Sequence, residues 1–206
     1  MGRYALETRN NIRGEGWDEC ADGWDSNDDV IAYSQKAFGS LSDAVNLNGL
    51  RVLDFGCGTG LLTEKISPIA SEVVALDPSE KMISILTDKK LPNVTTVQEE
   101  LSESLIKKCI LFSVKFDLIV ASSVCSFLPE YEKTLALLKS LLFPGGTFIQ
   151  WDWLATEGNS DFGLSRERIL SAYDKAGLKL QFLAPVFSLD SPEGDMSVLM
   201  GIAKNA

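Results

Sequence analysis

The sequence predicts an α/β fold: a three-layer α/β/α sandwich on a seven-stranded, mostly parallel sheet with an antiparallel C-terminal hairpin. Three observations predict it. Short apolar runs alternate with amphipathic helical patterns from residue 51 to residue 153, the mark of strand–helix–strand units with right-handed crossovers. Two strand-like runs then follow each other with only a turn between them, which reads as a hairpin. A glycine-rich turn joins the first strand to a helix, so bare backbone is approachable at a strand's carboxyl end.

Each element has its own signal. A helix is expected from about Ser26, capped by Ser26 or Asn27, with Val30, Ile31, Ala37, Phe38 and Leu41 as its buried stripe. Asn46-Leu-Asn48-Gly49 is a turn. Arg51–Phe55 is a strand and Leu61–Ile66 a helix stopped near Pro68. Glu72–Asp77 is a strand. Ser79 caps a helix to Lys90, with Met82, Ile83 and Leu86 on one face. Val94–Glu99 is a strand and Ser102–Phe112 a helix. Phe116–Ser122 is the most buried-looking strand, since its apolar run is nearly continuous.

Glu130–Leu142 shows apolar residues at 131, 135, 138 and 142, the spacing of a core-facing helix. Pro144-Gly-Gly146 turns the chain into strand Thr147–Asp152. Ser165–Ala176 is a helix ended by Gly177. Strands Leu178–Leu189 and Met196–Ala203 close the chain around the Asp-Ser-Pro-Glu-Gly-Asp turn at 190–195.

Bulk properties narrow the function. A chain of 206 residues suits one α/β domain, with residues 1–45 as an N-terminal cap or lid. No apolar run reaches the roughly 18 residues of a membrane span, and the N-terminus lacks the apolar stretch of a signal peptide. Gly2 has no Ser or Thr at position 6 to complete a myristoylation signal. The net charge is −10, opposite to the basic face that grips phosphates, so neither nucleic acid nor membrane is expected as a partner.

Cys20, Cys57, Cys109 and Cys125 are scattered, without a C-x-x-C pair. No metal site is expected, and a reducing, cytoplasmic setting follows. There is no histidine. Its absence removes Ser-His-Asp and Cys-His nucleophiles and imidazole proton shuttles.

The loop after the first strand is the most specific motif. Val52-Leu-Asp54-Phe-Gly56-Cys57-Gly58-Thr-Gly60-Leu61 places an acid before glycines at alternate positions. A dinucleotide fingerprint needs G-x-G-x-x-G, and here Leu61 stands where its third glycine would be. That disfavours a nicotinamide oxidoreductase, which stays as a third reading. A P-loop needs a closing Gly-Lys-Ser/Thr, also missing.

An acid before G-x-G-x-G resembles the cofactor loop of class I S-adenosylmethionine (SAM) dependent methyltransferases. A seven-stranded sheet with a terminal hairpin is that family's arrangement, so the resemblance covers roughly residues 15–204. It implies that Asp54 holds the SAM ammonium and that Gly56, Cys57, Gly58 and Gly60 line the cofactor, Cys57 as a small filler. It implies that Asp77, before Pro78, accepts both ribose hydroxyls. It also places Glu100 near the adenine amino group, with Leu101 backbone beside it. Glu100 is a departure from the family's usual Asp, and Glu99 is the alternative.

Ser122-Ser-Val-Cys-Ser-Phe127 lacks the Asn/Asp-Pro-Pro-Tyr/Phe sequence of adenine or glutamine methyltransferases. It is similar to the Ser-Ser-Val-Leu-His-His loop of small-molecule methyltransferases, with Cys125 and Ser126 where histidines often stand. Ser122, Ser123 and Phe127 would border the methionine moiety, with Phe127 also in the substrate pocket. Trp151-Asp152-Trp153 closes the fifth strand, as rim packing or as an acceptor pocket, since aromatic faces attract cations. Asp152 is the candidate base or acceptor-orienting group.

Residues 14–35 hold seven acids and no Lys or Arg, with Trp17, Trp24 and Tyr33 interleaved. The segment is either a solvated face or a lid; as a lid, Trp17 and Tyr33 would join the substrate pocket and favour a cationic acceptor. The implied activity is methyl transfer from SAM to a small molecule, with S-adenosylhomocysteine as product. A non-catalytic SAM-binding sensor or partner protein is the alternative. The oligomeric state and the methylated atom (N, O, S or C) stay open.

Overall fold

A computed structural model describes residues 14–155, 163–190 and 195–206. Seven strands make one sheet in the order β3-β2-β1-β4-β5-β7-β6, flanked by helices, and the chain divides into two compact units at residue 100.

The first unit begins with α1 (Gly14–Ala21), a 3-10 turn at Trp24–Ser26, and α2 (Asp28–Ala44). Asn27 caps α2: its side chain accepts the Asp29 and Val30 N–H groups, and Asp28 and Asp29 suit the positive end of the helix dipole. Strand β1 (Arg51–Phe55), α3 (Leu61–Ile66), β2 (Glu72–Asp77), α4 (Glu80–Asp88) and β3 (Val94–Gln98) follow. β1 and β2 pair in parallel with Asp54 opposite Ala75 and Phe55 opposite Leu76. Val52, Leu53 and residues 73–76 are buried, because helix-covered parallel strands are apolar on both sides.

The second unit holds α5 (Glu103–Lys108), β4 (Phe116–Ser122), α6 (Tyr131–Leu141), β5 (Leu142–Trp153), α7 (Arg166–Ala176), β6 (Leu178–Leu189) and β7 (Met196–Asn205). β4 and β5 are parallel; β7 lies antiparallel to both β5 and β6. Ser165 caps α7, and Gly177 ends it in the left-handed region at φ 70°.

Three features differ from expectation by more than two residues. The acidic N-terminal segment contributes a helix before residue 26, which its two glycines, Gly14 and Gly16, hide from propensity. The helix expected over 102–112 stops at Lys108, where Cys109 turns extended, and resumes as a 3-10 turn at Ile110–Phe112. Strand β5 begins at Leu142 instead of Thr147; Leu142 pairs with Phe116, and a register shift absorbs the Pro144-Gly-Gly146 bend. Residues 191–194 of the expected 190–195 turn, and Gly2 and the rest of 1–13, lie outside the described residues. Among the described residues no helix is long and apolar enough to cross a membrane.

Candidate functional site

In the first unit the glycine loop turns over the end of β2. Gly56 and Cys57 both donate their N–H to Leu76 O, at 2.8 and 3.2 Å, and Gly60 N–H donates to Cys57 O at 2.9 Å. Gly56, Gly58 and Gly60 have φ of 69°, 53° and 84°, where side chains are strained. The reasons for glycine differ along the loop. A Cβ on Gly60 would lie 2.2 Å from Leu86 Cδ1 of α4, so this glycine allows loop and helix to pack. A Cβ on Gly58 would meet nothing nearer than Met82 Sδ at 3.9 Å. That is an ordinary contact, so at Gly58 it is the φ of 53° and not crowding that asks for glycine.

Asp77 stands where β2 ends, and its carboxylate holds the loop. Oδ2 accepts the Gly58 N–H at 3.0 Å and Oδ1 accepts the Ser79 N–H at 2.9 Å. Burial raises its pKa; the Ser79 and Gly58 N–H groups oppose that, and the Asp18 charge adds to it. Asp77 keeps 8% exposure.

Asp54 is 1% exposed. Thr63, on the first turn of α3, donates its hydroxyl to Oδ2 at 2.6 Å. Oδ1 has no hydrogen-bond partner among the described residues. Desolvation pushes the carboxyl up to about 7; the Thr63 hydrogen bond opposes this and the Asp77 charge reinforces it. A buried, unpaired carboxylate oxygen is unfavourable in an empty protein. Cys57 is buried beside these two acids, and burial first, then their charges, raise its thiol well above the usual range. It is a protonated filler, not a nucleophile. Pro78 is exposed.

The acidic segment is no freely solvated face. Asp18 Oδ1 accepts the Ser79 hydroxyl at 2.5 Å and the Lys81 N–H at 3.1 Å. Asp25 Oδ1 accepts the Thr59 hydroxyl at 2.5 Å, and its Oδ2 lies 2.8 Å from Lys89 Nζ. Trp17 is half-buried and packs edge-on to Trp24, ring centres 6.2 Å apart. Tyr33 is buried in the core-facing stripe of α2, so it belongs to packing and not to a substrate pocket. Glu99 and Glu100 are exposed after β3, and Leu101 is half-buried.

In the second unit the end of β4 is tied to β5. Ser123 takes a left-handed φ of 57° and donates its N–H to Trp151 O at 2.7 Å. Ser126, in a 3-10 turn at Cys125–Phe127, donates its N–H to Asp152 Oδ1 at 3.0 Å. Gln150 Nε2 donates to Asp152 Oδ2 at 2.8 Å, and the Tyr131 hydroxyl donates to Gln150 Oε1 at 2.6 Å. Asp152 is fully buried. Burial raises its pKa to about 7, against hydrogen bonds from Ser126, Gln150 and Cys125.

This placement corrects the expectation for Asp152 as a base or acceptor-touching group. Both oxygens are engaged and neither meets solvent, so the residue fits a role in holding the 122–127 loop. Trp151 and Trp153 are buried too, and they present no open aromatic face. Ser122 and Phe127 are half-buried.

Sequence reasoning missed Asp18, Asp25, Thr59, Thr63, Gln150 and Tyr131. Their partners lie up to 63 residues away, and long-range side-chain pairing leaves no periodic trace. Among the described residues no group of three or more Cys, Asp or Glu could hold a metal ion.

A family model described as a methyltransferase domain matches residues 53–148. The ubiquinone biosynthesis O-methyltransferase of Rhizobium etli is 35% identical over 106 residues, covering 48% of this chain and 40% of that protein. The mitochondrial one of Rattus norvegicus is 32% identical over 111 residues, 49% of this chain and 30% of that protein. The chain thus spans less than half the length of these curated relatives. In fold it is similar to a SAM-dependent methyltransferase from Aquifex aeolicus, with a TM-score of 0.65, 20% identity and coverage of 82% of this chain and 88% of that one.

Proposed function

We propose that this chain, whose residues 53–148 form a methyltransferase domain on the class I SAM-dependent methyltransferase fold, moves a methyl group from SAM to a small-molecule acceptor and releases S-adenosylhomocysteine. The observation that carries this reading is the buried, unpartnered Oδ1 of Asp54 behind a glycine loop latched to Asp77. An anionic oxygen without a donor suits an incoming ammonium group. Three glycines at positive φ leave backbone bare of side chains, which suits close approach of a ligand. Asp54 and Asp77 of the first unit are the acceptors that the ammonium and ribose hydroxyls of SAM would need.

In this reading Asp54 takes the ammonium of SAM, directly or through water, and Asp77 uses its remaining lone pairs for the ribose hydroxyls. Glu100 takes the adenine amino group. SAM supplies an activated methyl on a sulfonium. The chain's residues need only bind, orient and exclude water, and alignment alone supplies roughly 7–11 kcal/mol. A base is required only where the acceptor must lose a proton, so a chain without histidine suits this chemistry.

The relatives' names favour an oxygen acceptor as the first to screen. The acidic segment favours an acceptor with cationic character, and the net charge of −10 disfavours nucleic acid. Four free cysteines fit a reducing, cytoplasmic setting. One observation favours a second reading, a SAM-binding protein without turnover: Asp152, the base that the sequence offers, is fully buried.

Calorimetric titration with SAM and S-adenosylhomocysteine, with NAD as control, tests the cofactor. Binding of both SAM-type ligands and not NAD is expected; failure of both, from folded protein, would sink the proposal. Transfer of a labelled methyl group to a hydroxyl or amine acceptor then separates the enzyme from the non-catalytic reading.

A further inference from the structure

We propose that Asp25 is a positioning residue of the cofactor site, acting through Thr59 to hold the glycine loop in its binding conformation. The inference rests on the SAM reading above and assigns a binding role to the N-terminal segment. Thr59 lies between Gly58 and Gly60 and is fully buried. Its hydroxyl donates to Asp25 Oδ1 at 2.5 Å. The other Asp25 oxygen meets Lys89 Nζ at 2.8 Å, and Lys89 also meets Glu64 Oε2 at 3.2 Å.

One carboxylate therefore joins three elements: the 3-10 turn at Trp24–Ser26, the glycine loop, and Lys89 at the end of α4. Asp18 makes the matching contact at the other end of α4, on Ser79 and Lys81. Ser79 N–H in turn holds Asp77, whose second oxygen holds Gly58. The loop is thus gripped from both ends of α4 by acids of one short segment.

Three consecutive alternate residues of this loop sit at positive φ. A loop of glycines has many accessible conformations and loses much entropy on being fixed. A contact that fixes it in the unliganded protein removes that loss from ligand binding. Thr59 is the loop's one long side chain with a hydroxyl, so its hydrogen bond is the handle through which the segment acts.

The test is a double-mutant cycle on the full chain, read with SAM and S-adenosylhomocysteine by calorimetry and by hydrogen exchange of the 56–60 amides without ligand. Asp25→Ala and Thr59→Val are each expected to weaken both ligands at least about tenfold, the worth of one charge-assisted hydrogen bond. Each should also speed loop exchange. The double variant should lose no more than Asp25→Ala alone, because Thr59→Val removes a bond that Asp25→Ala has already removed. Thr59→Ser, which keeps the hydroxyl, should bind within about twofold of wild type; it replaces Thr59→Val as the informative variant if the latter does not fold.

Additive losses, or unchanged affinity and exchange in Asp25→Ala, would overturn the inference. A wild-type chain that binds neither ligand would overturn the cofactor reading and this inference with it. A wild type that binds while the variants bind equally well overturns this inference alone.

Discussion

Asp77 and Gly58 stand 19 residues apart in the chain and are joined by a 3.0 Å hydrogen bond from the glycine's N–H to the carboxylate. The acid proposed to take the ribose also shapes the loop beside it. Its two oxygens hold two backbone N–H groups, and binding and loop order therefore share one side chain.

Asp77→Ala should reduce SAM affinity by more than it reduces stability. Loss of the two N–H acceptors should lower unfolding free energy by about 1–3 kcal/mol, and SAM affinity should fall by at least about a hundredfold. Calorimetric titration set beside urea unfolding decides it. Wild-type affinity in the variant would show that Asp77 takes no part in holding the ligand.

The loop glycines should separate. Gly60→Ala drives a methyl to 2.2 Å from Leu86 Cδ1 at φ 84°. A loss of about 2–4 kcal/mol of stability is expected from overpacking and backbone strain together. Gly58→Ala meets only Met82 Sδ, at an ordinary contact distance of 3.9 Å, so it should cost only about 1 kcal/mol from its positive φ while obstructing the ligand. Thermal unfolding and SAM titration on both variants check the contrast; equal stability losses would contradict it.

Stability should fall as pH rises from about 4 to 7. An Asp carboxyl titrates near ~3.9 when unfolded. Burial holds those of Asp54 and Asp152 up at about 7 in the fold. Between these values the folded chain keeps protons that the unfolded chain has released, so the stabilisation present below about 4 is lost as pH approaches 7 and levels off above it. Each unit of raised pKa is worth about 1.4 kcal/mol. Urea unfolding across this range should show the slope, and Asp54→Asn should flatten part of it. SAM affinity should run the other way, rising as Asp54 ionises; a pH-independent affinity would remove the Asp54–ammonium pairing.

The Tyr131–Gln150–Asp152 chain has one direction of donation. Asp152→Asn sets an amide against the Gln150 amide, donor to donor, and should cost about 2–4 kcal/mol. Gln150→Glu alone sets two carboxyl groups together. The double variant Gln150→Glu with Asp152→Asn moves the charge two residues and restores every donor–acceptor pair, so it should recover most of the loss. A double variant as unstable as the sum of the singles would show that hydrogen-bond direction is not what the site requires.

Much of the fold was legible because buried parallel strands write themselves as apolar runs and helix caps as single polar residues. β1, β2 and β4 fall where those runs lie, and Ser79 and Ser165 cap the helices expected of them. The glycine loop was legible because few side chains tolerate its backbone. The partners of the loop were not. Asp18 and Asp25 read as members of a charged stretch, and nothing local distinguishes them from Asp22, which meets only Lys81 at 3.8 Å on the exposed surface. Trp151-Asp152-Trp153 read as rim packing or an acceptor pocket, because a sequence does not reveal how deeply a strand's end is buried.

The segment that matches the methyltransferase-domain model runs from residue 53 to residue 148. The carboxylates that grip the glycine loop from outside, Asp18 and Asp25, come before it, and Gln150 and Asp152 come after it. A chain trimmed to the matched segment would keep the recognisable motif and lose its fastenings, leaving the Thr59 and Ser79 hydroxyls and the Ser126 amide in search of acceptors. The hydrogen bonds that steady the glycine loop thus reach beyond the segment that the family model matches.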